Sequence, residues 1–331
     1  MRYTPSAVQR AFEELKRRRE TAVSLQNEHI ETVKNNLPEV YSIYRSIKST
    51  ASRLAQAVFS GDKDSKELVE GIKRDNLYSQ KRLSEMLLAL GYPENYLSCN
   101  YYCKSCCDTG VSMGNRCSCL TELMRKYTIE ELNSQCKIKL RSFSEFRTDY
   151  YPESLRSGGR EIRCRELMEK NLSYCIEYCK SFTTESSGIF MHGATGLGKT
   201  LLSSCIASEL LKKGYSVAFD SVQNYLRAVE REHFGRSEGD TMETLLSADL
   251  LILDDLGAEF ESSFNTATVY NLINSRCSMG KPTIVSTNMP INRLMERYDD
   301  RIVSRLIGEL KTLRFIGEDI RQLRMERAAM E

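Results

Sequence analysis

A Gly-rich octapeptide wedged between a short apolar run and a helix-compatible stretch constrains this chain more than any other feature. Gly193-Ala194-Thr195-Gly196-Leu197-Gly198-Lys199-Thr200 follows Gly188-Ile189-Phe190-Met191-His192 and precedes Leu201 to Lys213. It fits G-x-x-x-x-G-K-[ST] in a strand–loop–helix context, the phosphate-cradling P-loop. Its glycines let backbone N–H groups converge on phosphate oxygens, and the helix that follows points its positive end at the same anion. The expected nucleotide-binding set is Gly193, Ala194, Thr195, Gly196, Leu197, Gly198, Lys199, Thr200 and Leu201, with Lys199 reaching the β/γ-phosphates and the Thr200 hydroxyl on Mg²⁺. Four fixed positions would match by chance roughly once in a hundred chains of this length. Chance is therefore a poor explanation.

A second strand supports the first. Asp249-Leu250-Leu251-Ile252-Leu253-Asp254-Asp255 is an apolar run ending in two carboxylates, about fifty residues beyond the P-loop. Such a run suits a strand buried on both faces, and its carboxyl end opens into the crevice where α/β sheets bind ligands. Asp254 is expected to hold Mg²⁺, and Asp255 to orient and deprotonate the attacking water. Asp255 is one methylene shorter than Glu, and positional errors near 1 Å can cost about a hundredfold in rate. Slow, partner-dependent hydrolysis is the expectation. The next strand, Thr283-Ile284-Val285-Ser286, ends in Thr287-Asn288 and would bring the Asn288 amide beside the γ-phosphate, unless Asn288 only forms a turn.

The pattern around these motifs alternates helix and strand from Glu161 onward, which argues for a parallel sheet covered on both faces. Strands are expected at Ile189–His192, Ser216–Asp220, Leu250–Asp254, Thr283–Ser286 and Leu313–Ile316, and helices at Thr200–Lys213, Val222–Phe234 and Thr266–Met279. The first ninety-odd residues read as helical. Apolar residues recur at helical spacing at Val8, Phe12 and Leu15, at Ile43, Ile47, Leu54 and Val58, and at Leu83, Met86, Leu87 and Leu90. Pro38 and Ser60-Gly61-Asp62 punctuate them. Lys16-Arg17-Arg18-Arg19 is either a DNA contact or a solvated helix face balanced by Glu20. Lys+Arg at 47 against Asp+Glu at 45 leaves a formal charge of +2, so any nucleic-acid contact must be local. With no apolar leader and no run of membrane-span length, a soluble cytoplasmic protein is expected, with no membrane partner.

Six of the 12 cysteines lie between Cys99 and Cys119. Cys103-x-x-Cys106, ten residues, then Cys117-x-Cys119 offers four thiolates on two short knuckles, and Gly110 and Gly114 let the loop between them fold back. The expectation is a structural Zn²⁺ held by Cys103, Cys106, Cys117 and Cys119, with Cys99 or Cys107 able to replace a ligand. A module this small lacks a hydrophobic core of its own. Scattered cysteines such as Cys164, Cys175, Cys179 and Cys205 read as small buried hydrophobes. Between the cluster and the α/β region, Leu120 to about Arg160 carries an aromatic patch: Phe143, Phe146, Tyr150 and Tyr151.

The P-loop, Leu253-Asp254-Asp255-Leu256-Gly257-Ala258-Glu259, Ser286-Thr287-Asn288 and Asp300-Arg301-Ile302-Val303-Ser304-Arg305-Leu306 together resemble the AAA+ ATPases, in particular the bacterial DnaC/DnaI helicase-loader family and its relative IstB. The likeness covers roughly Phe143 to Arg321. It departs where Asp-Asp replaces the Gly-Glu of the family's Gly-Glu-Arg-x-x-x-Arg-Leu stretch. Tyr102 to Gly110 resembles the zinc module of DnaI-type loaders.

The resemblance implies an AAA+ three-layer α/β/α domain with parallel sheet and reduced lid, preceded by a helical region and a small Cys₄ module. Its implied divisions are a helical helicase-binding region (1–95), a zinc module (96–125), a linker (126–160) and the ATPase domain (161–331). It implies ATP, Mg²⁺ and structural Zn²⁺ as cofactors, with Lys199, Asp255, Asn288 and Arg305 as catalytic residues. Arg305 would serve a neighbouring copy as an arginine finger, with Arg301 the alternative, and Arg321 stays ambiguous as a nucleotide sensor. Implied partners are a replicative hexameric DNA helicase, a second copy through the ATPase domain, and single-stranded DNA. The DNA would lie along Arg231, Phe234, Ser262 and Phe264, although the two phenylalanines could equally be core. The implied activity is ATP-dependent loading of the helicase during replication initiation. An IstB-like transposase helper and a non-hydrolysing nucleotide scaffold are the alternatives.

Overall fold

A computed structural model describes residues 3–59, 65–134, 139–157, 160–236, 240–298, 300–323 and 325. The expected break at Ser60-Gly61-Asp62 lies outside the described residues. The chain forms two compact units, Ala11–Thr121 and Met1–Arg10 with Glu122–Glu331. No described helix is long and apolar enough to cross a membrane.

Three helices, α1 (Pro5–Asn36), α2 (Pro38–Phe59) and α3 (Ser65–Ala89), open the chain. Pro38 stands first in α2, where a missing N–H costs nothing, so α1 and α2 follow each other almost without a gap. Val33, Val40, Leu87 and Leu97 form the core at that junction, with Leu83 and Met86 packed on it. Gln26 donates to the Leu97 carbonyl at 2.9 Å, and His29 stacks on Tyr96 with ring centroids 4.0 Å apart, which ties the segment after α3 to α1. The buried residues of α1 differ in part from those expected. Leu15 is buried as expected, but Ala7 and Ala11 are buried whereas Phe12 is 45% exposed. Val58 and Leu90 are likewise exposed. In the basic run Lys16, Arg17 and Arg19 are exposed, Glu14 accepts from Arg17 at 2.9 Å and from Arg18 at 2.8 Å, and Arg18 lies over the Tyr102 ring. A two-residue hairpin, β1 (Val111–Ser112) with β2 (Asn115–Arg116), follows, and then α4 (Ser118–Ser134).

The second unit is built on one parallel sheet. After a hairpin of β3 (Ser154–Ser157) and β4 (Arg160–Arg163) and helix α5 (Cys164–Ser181), its strands are β5 (Ile189–His192), β6 (Val217–Ser221), β7 (Leu250–Leu256), β8 (Thr283–Thr287) and β9 (Lys311–Arg314). Between them run α6 (Lys199–Lys212), α7 (Val222–His233), α8 (Thr241–Ser247), α9 (Ser263–Ser278), α10 (Ile291–Arg297) and α11 (Asp300–Gly308). Strand order is β6-β7-β8-β5-β9, so the P-loop strand β5 lies between β8 and β9. Alternate side chains divide the sheet. Ile189, Met191, Phe219 and Ile252 face a core completed by α5 and α6, while Phe190, Ala218, Leu251 and Leu253 face one completed by α7, α8, α9 and α11. This is the three-layer α/β/α arrangement expected from the alternating pattern. The last strand begins two residues earlier than expected. The α9 helix begins at Ser263 because Ser262 caps it, accepting the Asn265 N–H at 3.1 Å.

Edge strand β6 is covered. The Asn133 amide of α4 donates to the Val217 carbonyl at 2.5 Å and accepts the Phe219 N–H at 3.0 Å, imitating a neighbouring strand. Segment 126–160 thus contains the end of α4, two short 3₁₀ turns and most of the β3–β4 hairpin. Cys164, Cys175, Cys179 and Cys205 are buried as expected, and burial pushes the Cys179 and Cys205 thiols up to about 12.

Candidate nucleotide site and cysteine cluster

Gly198 caps α6 in the left-handed region, and a Cβ there would sit 2.7 Å from the Phe146 ring. Only glycine permits both the turn and the ring's approach. Lys199, the first residue of α6, is 4% exposed, and its Nζ donates to the Gly193 and Ala194 carbonyls, each at 2.7 Å. Burial lowers its pKa to about 8, against the pull of Asp255 and Asp254. At the next position, the Thr200 hydroxyl donates to Asp254 Oδ2 at 2.8 Å. Ser286 donates to Asp254 Oδ1 at 2.5 Å. Burial raises the Asp254 pKa, opposed by those two hydrogen bonds and by Lys199.

Strand β7 bulges at its acidic end. The register against β8 shifts between Leu253 and Leu256, and Asp255 adopts φ = 56°. Asp tolerates this left-handed region better than most residues, and a bulge re-aims the side chain it carries. The Asp255 N–H donates to Ser286 Oγ at 3.1 Å, and the Asn288 amide donates to Asp255 Oδ1 at 3.0 Å. Ser286 thus binds both carboxylate-bearing residues. In sequence Ser286 is marked only as the start of Ser286-Thr287-Asn288, and nothing local signals this role.

Thr195 to Leu201, Asp255 and Asn288 line one cavity of about 250 Å³. Gly193 and Ala194 line a neighbouring one, and Asp254 reaches the first through Thr200. Further lining residues come from outside the motifs: Arg141, Phe146, Arg147 and Tyr151 before β5, and Ile320 and Arg321 after β9. The Tyr151 hydroxyl donates to the Leu197 carbonyl at 2.8 Å, fixing the aromatic wall to the P-loop. The aromatic patch was visible as composition, but its distance from the P-loop along the chain hid the contact. Arg321, ambiguous in the sequence, faces the same cavity.

Arg305 lies elsewhere on this chain. On α11, its Nε donates to Asn274 Oδ1 at 2.8 Å and its Nη1 pairs with Glu309 at 3.1 Å, and it does not line the cavity. Among the residues expected at DNA, Phe234 is 59% exposed, which removes the core reading for it. Phe264 is half-buried and Arg231 exposed. The two rings stand 6.3 Å apart with His233 against both, an arrangement the sequence did not reveal. The Ser262 side chain is engaged as the cap of α9.

The sulfurs of Cys103, Cys106, Cys117 and Cys119 lie within 4.8 Å of one another, and the group could hold a metal ion. Cys103 and Cys117 are 3.7 Å apart, Cys106 and Cys119 3.4 Å, near the roughly 3.8 Å of four sulfurs at about 2.3 Å from a tetrahedral ion. The Gly110 N–H points at Cys106 Sγ from 3.4 Å, and Asp108 accepts the Tyr102 and Cys103 N–H groups at 2.8 Å each, shaping the first knuckle. Burial opposes ionisation of Cys106, but the Gly110 N–H and the neighbouring thiols outweigh it and bring that thiol down to about 7. Cys99 and Cys107 fall outside the group.

Residues 170–326 match the family described as IstB-like ATP binding protein. The replicative helicase loader DnaC of Escherichia coli (strain K12) is 26% identical over 147 residues, covering 44% of this chain and 60% of that protein. The replicative helicase loader DnaI of Bacillus subtilis (strain 168) is 26% identical over 128 residues, covering 38% and 41%. A crystal structure of the DnaC helicase loader aligns with 53% of this chain and 98% of its own at 21% identity, with a TM-score of 0.43. The chain therefore spans less than two thirds of the length of these curated relatives. Over this part of the chain it is similar to IstB-like ATP binding proteins and to the replicative helicase loaders DnaC and DnaI.

Proposed function

We propose that this chain is an ATP-dependent loader of a replicative DNA helicase. The observation that carries the reading is the 2.8 Å hydrogen bond from Thr200 to Asp254, beside a cavity lined by Lys199, Asp255 and Asn288. Three separate sequence motifs meet there as a triphosphate site requires. The match of this half to proteins named helicase loaders supports the wider role.

Lys199 exchanges the Gly193 and Ala194 carbonyls for phosphate oxygens when nucleotide enters. Thr200 and Asp254 are the residues that would hold Mg²⁺, which supplies charge neutralisation when bound. Asp255 takes the proton of the attacking water, and Asn288, already bonded to Asp255, keeps that carboxylate aimed. Arg305 acts on a second copy, where a guanidinium supplied in trans lets hydrolysis report assembly. Cys103, Cys106, Cys117 and Cys119 would hold a structural Zn²⁺ that supplies folding energy. Exposed Phe234, with Phe264 beside it, the Arg236 guanidinium 5.9 Å from its ring and exposed Arg231 in the preceding helix, suits stacking of a single strand without sequence preference.

The IstB-like match favours one second reading, a helper ATPase for a transposase. The test is ATP turnover by the purified chain with and without single-stranded DNA, alongside capture of a hexameric replicative helicase or a transposase. Turnover is expected to rise with DNA and with protein concentration, and Arg305→Ala to remove the concentration dependence and up to about a thousandfold of rate. Capture of a transposase but no helicase would turn the reading to the helper class. ATP binding without turnover under every condition would leave only a nucleotide scaffold.

A further inference from the structure

A carboxylate that the proposed mechanism does not use lies just beyond the acidic strand. Glu259 is 5% exposed, yet both of its oxygens are engaged. Oε2 accepts the Gly257 N–H at 2.9 Å, while Oε1 accepts the Tyr298 hydroxyl and faces Arg297 Nη2 at 3.4 Å. The same Nη2 also donates to the Glu259 backbone carbonyl, and Arg297 Nη1 reaches Glu261 at 3.3 Å.

These partners join two pieces of the molecule. On one side is the turn that carries Asp255: the Ala258 N–H donates to the Asp255 carbonyl at 3.1 Å, and Gly257 holds φ = 99° with Met289 packed where a Cβ would sit. On the other side are Arg297, the last residue of α10, and Tyr298, which leads into α11 with Arg301 and Arg305. A buried carboxylate is tolerated only where its donors are all in place, and losing one leaves an uncompensated charge. The turn is thereby tied to the end of α10 and to Tyr298, next to α11.

We infer that Glu259 is a positioning residue that couples the α10–α11 segment to Asp255 through this buried cluster, so that displacement of α11 by a neighbouring copy is felt at the catalytic carboxylate. The inference rests on the ATPase reading above. It identifies the route within one subunit by which contact at the arginine helix alters the water-activating group.

The experiment compares the full chain with Glu259→Gln, which keeps the shape but removes the charge, and Tyr298→Phe, which removes one donor and leaves the carboxylate. Three quantities are read: affinity for a fluorescent ATP analogue, kcat across protein concentration, and ATP-dependent self-association by light scattering. Glu259→Gln is expected to bind nucleotide within about twofold of the parent, to lose about tenfold to a hundredfold in kcat, and to lose its concentration dependence. Tyr298→Phe should move the same way by less. Parental kcat and concentration dependence in both variants would overturn the inference. So would a fall in kcat matched by equal falls in ATP affinity and melting temperature, the signature of a merely structural residue. If the parent binds ATP without hydrolysing it, the ATPase reading fails by itself, and coupling is read from association. Association that stays ATP-dependent in Glu259→Gln, or is absent from the parent, then overturns the coupling.

Discussion

Lys199 illustrates how a single side chain can be primed and restrained together. Burial disfavours its charge, the two carbonyls it donates to hold it in the loop, and its pKa of about 8 lies well below the ordinary lysine value. Phosphate binding requires the protonated form. Near pH 7 the free site already carries that proton, so Lys199 adds no pH dependence to ATP affinity there. As pH rises through 8 the free lysine loses its charge, and binding must take up a proton at a cost of about 1.4 kcal/mol per pH unit. ATP affinity measured with a fluorescent analogue should therefore fall by up to about tenfold per unit between pH 8 and 9.5, and Lys199→Met should remove that slope. A parental affinity unchanged up to pH 9.5 would contradict the burial argument. Asp254 lies at the other limit: burial raises its pKa, and the Thr200 and Ser286 hydroxyls oppose the rise.

At the scale of elements, α9 is held by a residue that reads in sequence as an ordinary surface arginine. Arg276 has no exposed surface. Its guanidinium donates to Thr283 Oγ1 at 2.9 Å and to the carbonyls of Leu245, Leu246, Ala248 and Pro282 at 2.5–3.1 Å. It therefore closes the C-terminal end of α8 and fixes α9 against the start of β8. Burial lowers its pKa to about 10, partly offset by Asp249. Arg276→Met would leave several carbonyls buried without donors, and about 3 kcal/mol or more of stability should be lost in urea unfolding. Lys281→Ala, whose ammonium donates to the Leu246 and Ser247 carbonyls, should cost less than about 1.5 kcal/mol. Equal losses in the two variants would refute the assignment. The strands around this element were legible because short apolar runs bounded by polar residues, such as Leu250–Leu253, suit a strand buried on both faces. Leu15 was legible too, but Ala7 and Ala11 were not, since periodicity counts bulk and passes over alanines.

For the molecule as a whole, the division into two compact units gives the cysteine group and the nucleotide cavity separate supports. Cys103, Cys106, Cys117 and Cys119 belong to Ala11–Thr121, whereas every residue lining the cavity belongs to the other unit. Metal removal should therefore act locally. The intact chain is expected to carry about one zinc, and a strong chelator or Cys106→Ser should release it. Amide exchange should rise across residues 99–121, with ATP affinity kept within about twofold. Loss of nucleotide binding on chelation would show that the units are not independent. A chain purified without zinc, yet equally protected at residues 99–121, would remove the metal from the account.

The sequence by itself determined the chemistry available at the site. Gly198-Lys199-Thr200, the Asp254-Asp255 pair and Ser286-Thr287-Asn288 were recognisable because each requires fixed residue types at short, local spacing, and so were the four cysteines. Only tertiary structure decided what surrounds them. Phe146 and Tyr151 became a wall of the cavity, Ser286 a shared partner of both aspartates, Arg276 an internal cap and Glu259 a buried tie to α10–α11. The reason is physical. A motif's meaning is carried by neighbours along the chain, but the value of a hydroxyl, a guanidinium or a carboxylate depends on which distant donors and acceptors meet it once water is excluded.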